Sequence, residues 1–207
     1  MSDLDTEVGG TTAKPGKRDR LVHAASELLH HQGVEKTTLA DIADRADVPL
    51  GNVYYYFKTK NALLDAVIEA HVQGVEETIA SLARHRTPKA RLKALIGLLT
   101  GRRDEIARYG CPHGTLCSEL EKSHDDHGVA RLMAIPLTWT EEQFRLMGRR
   151  DAHELAKQLM ARYQGTAVLT HALREPSLLE REGKRLERWV DSLDKSSSGD
   201  KSAAASK

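Results

Sequence analysis

Two stretches of the chain concentrate side chains able to do chemistry. The first, GCPHGTLCSELEKSHDDH at residues 110–127, gathers Cys111, His113, Cys117, Glu121, His124 and His127. Thiolate, imidazole and carboxylate are transition-metal ligands, and Cys117, Glu121 and His124 would share one face of a helix. Their spacing fits no familiar zinc pattern, so no metal is expected. A thiol near a helix N-terminus has its thiolate favoured, which makes Cys111 a candidate redox or electrophile sensor. The competing reading is inert packing, the usual state of a buried cysteine. Cys–His nucleophilic catalysis also needs a group to orient the base, and nothing identifies one. Neither an enzyme nor a bound cofactor is expected.

The second stretch, TTLADIADRADVPLGNVYYYFKTK at residues 37–60, carries three consecutive tyrosines, Tyr54, Tyr55 and Tyr56, with Asn52, Lys58 and Lys60 around them. Phenol, amide and ammonium groups on one short element suit phosphates and base edges in a DNA major groove. Successive helical residues are rotated by about 100°, so one tyrosine is expected to turn inward while the others reach out. The elements that position them are legible. Leu39, Ile42, Ala43 and Ala46 give a first helix its buried face. Thr38 followed three residues later by Asp41 is a capping box that starts it. Asp47-Val48-Pro49 breaks it, and a second helix should start at Pro49, buried through Val53 and Phe57.

From about Arg18 to Leu64 the chain resembles the DNA-binding domain of the tetracycline-repressor (TetR) family of bacterial regulators. The likeness rests on ASELLHHQGVEKTTL, DIADRADV and GNVYYYFKTKNALL, taken in order and spacing. Where the family often has Ser or Thr capping the recognition helix, this chain has Pro49. The resemblance implies that Thr38, Leu50, Gly51, Asn52, Tyr54, Tyr55, Tyr56 and Lys60 match positions that commonly touch DNA. Gly51 would allow close backbone approach, Asn52 could read a base edge, and Lys60, at a helix start, would hold a phosphate. The Gly-Cys-x-x-Gly sequence at residues 110–114 is similar to a subset of the family, some of which sense reactive species through that cysteine.

Composition alone would not have suggested nucleic acid. Through Arg84 there are nine Lys/Arg against thirteen Asp/Glu, and the remainder carries 22 against 17. The cations are local: Lys14, Lys17, Arg18 and Arg20 before the first helix, either a phosphate-contacting arm or a solubilising flank, and Lys58 and Lys60 after the tyrosines. Phosphates respond mostly to charges within a Debye length, roughly 8 Å at physiological salt, so placement can outweigh the total. With 40% hydrophobic and 29% charged residues, the 207-residue chain reads as a soluble globular protein. No apolar run is long enough to cross a bilayer, and MSDLDTEVGG is no secretory signal. Two cysteines make no disulfide framework, and a cytoplasmic, reducing setting is the default.

The expected fold is all-α: an N-terminal three-helix helix-turn-helix domain (residues 17–60) joined by a long helix to a C-terminal helical domain for ligand binding and dimerisation (residues 61–193). Residues 1–16 and 194–207 read as a disordered arm and tail. The first helix should span roughly 17–32 and stop at Gly33, with His30 and His31 favouring its dipole. One rod from about Lys60 to Arg84 follows, and then helices ending near Tyr109, over 114–124, 129–149, 152–174 and 176–193. Met133, Trp139, Phe144 and Met147 occupy more than one face of the fourth of these, a surplus of apolar surface. Together with Cys111 and Leu116 they are the candidate contacts of an unknown small-molecule effector, in a pocket the resemblance implies. Leu155, Leu159, Val168 and Leu169, then Leu179, Leu186, Trp189 and Val190, with small Gly165, Ala167 and Ala172, fit either an intramolecular core or, as the resemblance implies, the four-helix interface of a homodimer. The partners expected are thus a double-stranded DNA operator, an effector and a second copy, with no membrane.

Overall fold

The computed structural model describes residues 15–120 and 127–193, which form ten helices and no strand. The expected arm, residues 1–16, lies outside the described residues up to position 14, as does the expected tail at 194–207. No helix among the described residues is long and apolar enough to cross a membrane.

The first four helices form where local signals put them. α1 (Lys17–Gln32) stops at Gly33, whose φ of 87° lets its N–H bond back to the Leu29 carbonyl. α2 (Leu39–Arg45) opens on the complete capping box: Asp41 N–H donates to Thr38 Oγ1 at 3.2 Å and Thr38 N–H to Asp41 Oδ2 at 2.9 Å. Pro49 is the N-cap of α3 (Leu50–Tyr56), one residue outside the helix rather than its first member. Thr59 caps α4 (Lys60–Leu82) by accepting from Ala62 N–H.

Beyond α4 the chain departs from expectation in one place. The helix expected to end near Tyr109 is two, α5 (Pro88–Gly101) and α6 (Arg103–Tyr109), parted at Arg102. Gly101 favours a break, and Asp104 and Glu105 suit the positive end of a new helix. α7 (Pro112–Leu120), α8 (His127–Leu146), α9 (Ala152–Leu173) and α10 (Pro176–Ser192) complete the order.

Two large apolar cores result, with a smaller third made by Ile106, Cys111, Tyr163, Ala167 and Leu179. One joins Leu21, Ala25 and Leu29 of α1 with Ile42, Val53 and Phe57, and continues through Leu63, Val67 and Val72 of α4 to Leu116, Leu120 and Leu132. Packing therefore crosses the expected boundary at residue 60 without a break. The second core takes Leu92 and Ile96 of α5 with Phe144, Leu155, Leu159, Leu186 and Val190. Leu179, Leu186 and Val190, expected at a dimer interface, are thus buried within the protomer. The outer side of α10 is charged, with Arg181, Lys184, Arg185 and Arg188 exposed. The exposed apolar side chains are on α9 instead: Val168, Leu169 and Leu173 are 65%, 54% and 62% accessible.

Polar contacts tie the first three helices to the rest. Lys60, half-buried, donates from Nζ to the Val34 and Thr37 carbonyls, both at 2.7 Å. Its ammonium clamps the α1–α2 loop and is not displayed for a phosphate. Glu119 of α7 accepts from Val34 N–H at 2.5 Å in the same loop. Ser26 and His71 Nε2 are 2.8 Å apart, joining α1 to α4. His30 Nε2 lies 3.0 Å from the Gly110 carbonyl, and His31 stacks on Tyr109 with ring centroids 4.1 Å apart. Burial lowers the pKa of His30, so it serves this joint as a neutral ring and not as a charge at the helix dipole. Burial likewise lowers His71, and pushes His113 down to about 4.

Two predictions follow from these contacts. Lys60→Met leaves two carbonyls without their charge-assisted donor and should destabilise the fold by about 1–3 kcal/mol in urea denaturation. Unaltered stability with a DNA salt slope reduced by about one would return Lys60 to the phosphates. The histidines set a pH dependence with a definite sign. Their folded pKa values lie below the unfolded one, so as pH falls below the ordinary 6.5 the unfolded chain takes up protons that the folded chain refuses. His113 alone should cost about 2 kcal/mol between neutral pH and about pH 5. Urea midpoints should drop over that range, and less steeply in His113→Gln; parallel curves for the two proteins would refute it.

Candidate nucleic-acid interface

α3 is seven residues long, and its two sides differ completely. Val53 and, just past its end, Phe57 are 0% and 3% accessible and seat the helix in the first core. Leu50, Tyr54, Tyr55 and Tyr56 face out, at 43%, 51%, 75% and 36%. All three tyrosines are therefore exposed, where one was expected to turn inward. Val53 and Phe57, four apart, already fill the buried side, so Tyr54–Tyr56 sweep the remaining arc. Tyr55 and Tyr56 meet edge to face, with centroids 5.0 Å apart. Gly51 presents bare backbone, since a Cβ there would meet open space, and Asn52 is half-buried beside it.

The turn between α2 and α3 is held from α1. Arg20 donates from Nη1 to the Ala46 carbonyl at 3.0 Å and the Asp47 carbonyl at 3.2 Å. The Arg18 guanidinium lies 5.4 Å from the Phe57 ring centroid. Two of the four cations expected in a phosphate-contacting arm thus brace the domain instead, and Lys14 lies outside the described residues. Lys17, Lys36 and Lys58 are exposed. Thr38 is exposed at the start of α2, but its hydroxyl donates to Asp41 Oδ2 at 2.7 Å. The Thr38 hydroxyl and N–H hold the Asp41 carboxyl below its usual range. From Leu50 to Lys58 there is no acidic residue, so the outward face of α3 is aromatic and apolar with a cation at its end.

The candidate effector residues are not brought together. A cavity of about 620 Å³ lies between α1, α4, α5, α7, α8 and α9, and of that set only Met133 lines it. Phe144 is fully buried in the second core, edge-on to Trp189, and Met147 and Trp139 pack around the same core. Trp139 also walls a separate groove between α4 and α8. Leu116 belongs to the first core. Cys111 sits behind the cavity wall, accepting from the Tyr163 hydroxyl at 3.5 Å and from Gln164 Nε2 at 3.8 Å. Cys117 is buried, with Sγ 3.7 Å from the Val129 carbonyl. The cavity's polar side chains include Ser26, His71, Arg102, Tyr163 and Gln164, to which sequence reasoning gave no site role, and His113, singled out there only within the Cys/His cluster. His71 was the available signal, a lone imidazole in the apolar stripe of α4. Among the described residues no group of three or more His, Cys, Asp or Glu could hold a metal; Glu121 and His124 lie outside them, as does the His127 side chain.

Comparison with known proteins bears on the segment that carries the first of these two sites. Residues 21–67, which span α1 to mid-α4, match the family model for bacterial regulatory proteins of the tetR family. A curated HTH-type transcriptional regulator from Lactococcus lactis is 30% identical over 112 residues, 53% of this chain and 57% of that protein. The HTH-type regulator BetI of Burkholderia thailandensis is 36% identical over 85 residues, 39% of this chain and 42% of that one. The matches thus span about half the length of these curated relatives. The whole fold resembles a TetR transcriptional regulator from Legionella pneumophila, with a TM-score of 0.76 and 16% identity over 87% of this chain and 98% of that one. It also resembles the reduced form of E. coli NemR, with a TM-score of 0.72 and 17% identity over 84% and 96%. At those identities the likeness is one of fold. Residues 21–67 thus carry the N-terminal segment of the tetR family of bacterial regulatory proteins, and the chain as a whole has the helical fold of the solved TetR regulators.

Proposed function

We propose that the protein is a homodimeric, ligand-responsive transcription regulator of the cytoplasm, a repressor that leaves a pseudopalindromic operator when an effector binds. The observation that carries the DNA reading is the outward face of α3. Leu50, Tyr54, Tyr55 and Tyr56 are large, exposed and held by no partner helix, on an element whose other side is fixed in the core. Tyrosine hydroxyls there reach phosphates, Leu50 offers a thymine methyl an apolar contact, and Asn52 is placed for a base edge. Direct readout by so few polar groups is thin, so DNA shape carries part of the specificity. Thr38 contributes from the start of α2, and the α4 N-terminus offers backbone N–H groups to a phosphate in place of the Lys60 ammonium.

Dimerisation is proposed through α9. Val168, Leu169 and Leu173 form an exposed apolar stripe beside Gly165 and Ala172, which admit a close helix approach. The cationic face of α10 forms its rim. Two copies of α3 would then enter successive major-groove turns about 34–36 Å apart. A thiol-sensor reading of Cys111 carries less, because the residue is only 8% accessible and its sulfur accepts from Tyr163 and Gln164.

The test is selection of bound duplexes from a random pool, which should return two inverted half-sites; a pool left unenriched would end the operator reading. Tyr55→Ala should weaken binding to the selected site by about tenfold or more with the helical content unchanged. Wild-type affinity would remove Tyr55 from the interface. For the dimer, Leu169→Glu should yield a monomer by light scattering at micromolar concentration, and a persisting dimer would place the interface elsewhere.

A further inference from the structure

The cavity between α1, α4, α5, α7, α8 and α9 combines apolar walls with a cluster of polar side chains, and this combination specifies a ligand class. Leu95, Leu99, Leu132, Met133, Pro136 and Met160 supply the apolar walls. The polar side chains include His71 and His113, edge to face with centroids 5.4 Å apart, with Arg102, Tyr163 and Gln164. We propose that the cavity binds an organic monocarboxylate with an apolar body, its head held by His71, His113 and Arg102 and its body by the leucines and methionines of the walls.

Two of these polar groups, Tyr163 and Gln164, are donors with weak acceptors. The Tyr163 hydroxyl donates to a sulfur, Cys111 Sγ, at 3.5 Å. Gln164 Nε2 has two sulfurs, Cys111 Sγ at 3.8 Å and Met133 Sδ at 3.7 Å. Sulfur is a poor acceptor, and a carboxylate oxygen is a strong one. Arg102 uses Nε and Nη2 on Glu105, at 2.8 and 2.5 Å, which leaves the N–H groups of Nη1 outside that pair.

The charges that surround the two imidazoles favour an anion. From α1 comes His30, from the end of α5 Arg102, from α6 Glu105 already paired to Arg102, from α9 the neutral phenol of Tyr163, and from the start of α7 Cys111. The carboxylates that line the cavity, Asp19 and Glu69, are exposed at its α1–α4 rim beside Arg18 and His23. Burial favours the neutral form of both imidazoles. A carboxylate beside them favours imidazolium, so binding should take up a proton and tighten as pH falls. A neutral ligand of the same shape would gain nothing from that change.

The inference rests on the ligand-responsive reading above, and the experiment separates the two. Decanoate, decanol and decylamine, kept below their aggregation concentrations, are titrated calorimetrically into the full-length protein at about pH 6 and about pH 8. Two buffers of different ionisation enthalpy report proton uptake. Decanoate should bind about tenfold or more tighter than decanol, gain affinity at the lower pH and take up about one proton. Arg102→Gln and His113→Gln should each erase most of the preference for decanoate over decanol. Decanol binding as tightly as decanoate, a preference that survives both substitutions, or no binding by any of the three would overturn the proposal. Release of the selected operator is followed on the same samples. Decanoate that binds with the predicted proton uptake but leaves the operator bound would uphold this site and refute the ligand response instead.

Discussion

α4 runs along one continuous core from the α2–α3 turn to α7 and α8. Over 23 residues it gives Leu63, Leu64 and Val67 to the core under the α2–α3 turn, then turns Val72 and Val75 inward further along. At its first residue the Lys60 ammonium fixes the α1–α2 loop, and at its middle His71 bonds Ser26 and borders the cavity. A helix is stiff along its axis, so a displacement near His71 is felt at Lys60 and passed through the loop to α2 and α3. That rigidity, more than any single side chain, relates the cavity to the tyrosine face.

The remaining bridges act in the same direction. Glu119 holds Val34 from α7, and His30 holds the Gly110 carbonyl just before that helix. α7 also supplies His113 to the cavity's polar cluster. A ligand that moved His113 would therefore load α1 twice, once through α4 and once through α7. Allosteric couplings are typically about 1–3 kcal/mol, the scale of one or two such polar contacts made or lost. No long chain of intermediates is needed, because α1 itself lines the cavity through Val22 and Ser26.

What could be read from the sequence was local. The capping box of Thr38 and Asp41, the Gly33 stop, the Pro49 break and the buried pair Val53 and Phe57 each depend on neighbours within a few residues, and each stands as expected or within one position. What could not be read depends on partners far along the chain. Lys60 looked like a free cation because its acceptors are 26 and 23 residues away. Phe144 and Met147 looked like surplus apolar surface because α5, α9 and α10, which bury them, were not yet placed. Arg18 and Arg20 looked like a basic arm until Phe57 and the Ala46 carbonyl came beside them. The break at Arg102 was missed for the opposite reason: nothing local forbids a continuous helix there, and its Glu105 pair serves equally well within one helical turn.

The same distinction explains why α9 and α10 divide their tasks. Both carry enough leucine to look like interface helices, yet α10 exhausts Leu179, Leu186 and Val190 on its own protomer. Glu182 on its inner side is buried against Arg162 of α9, with Arg162 Nε donating at 2.7 Å. A buried ion pair of this kind fixes the α9–α10 register more than it stabilises it. Once α10 is fixed, the only long apolar run left facing out on this pair is Val168, Leu169 and Leu173, which lies on the helix that also brings Met160, Tyr163 and Gln164 to the cavity. In the proposed dimer α9 is therefore shared between ligand site and interface. It then forms the fixed side of the cavity, and the strain of a bound ligand falls on α4 and α7, the walls that lead to the tyrosines.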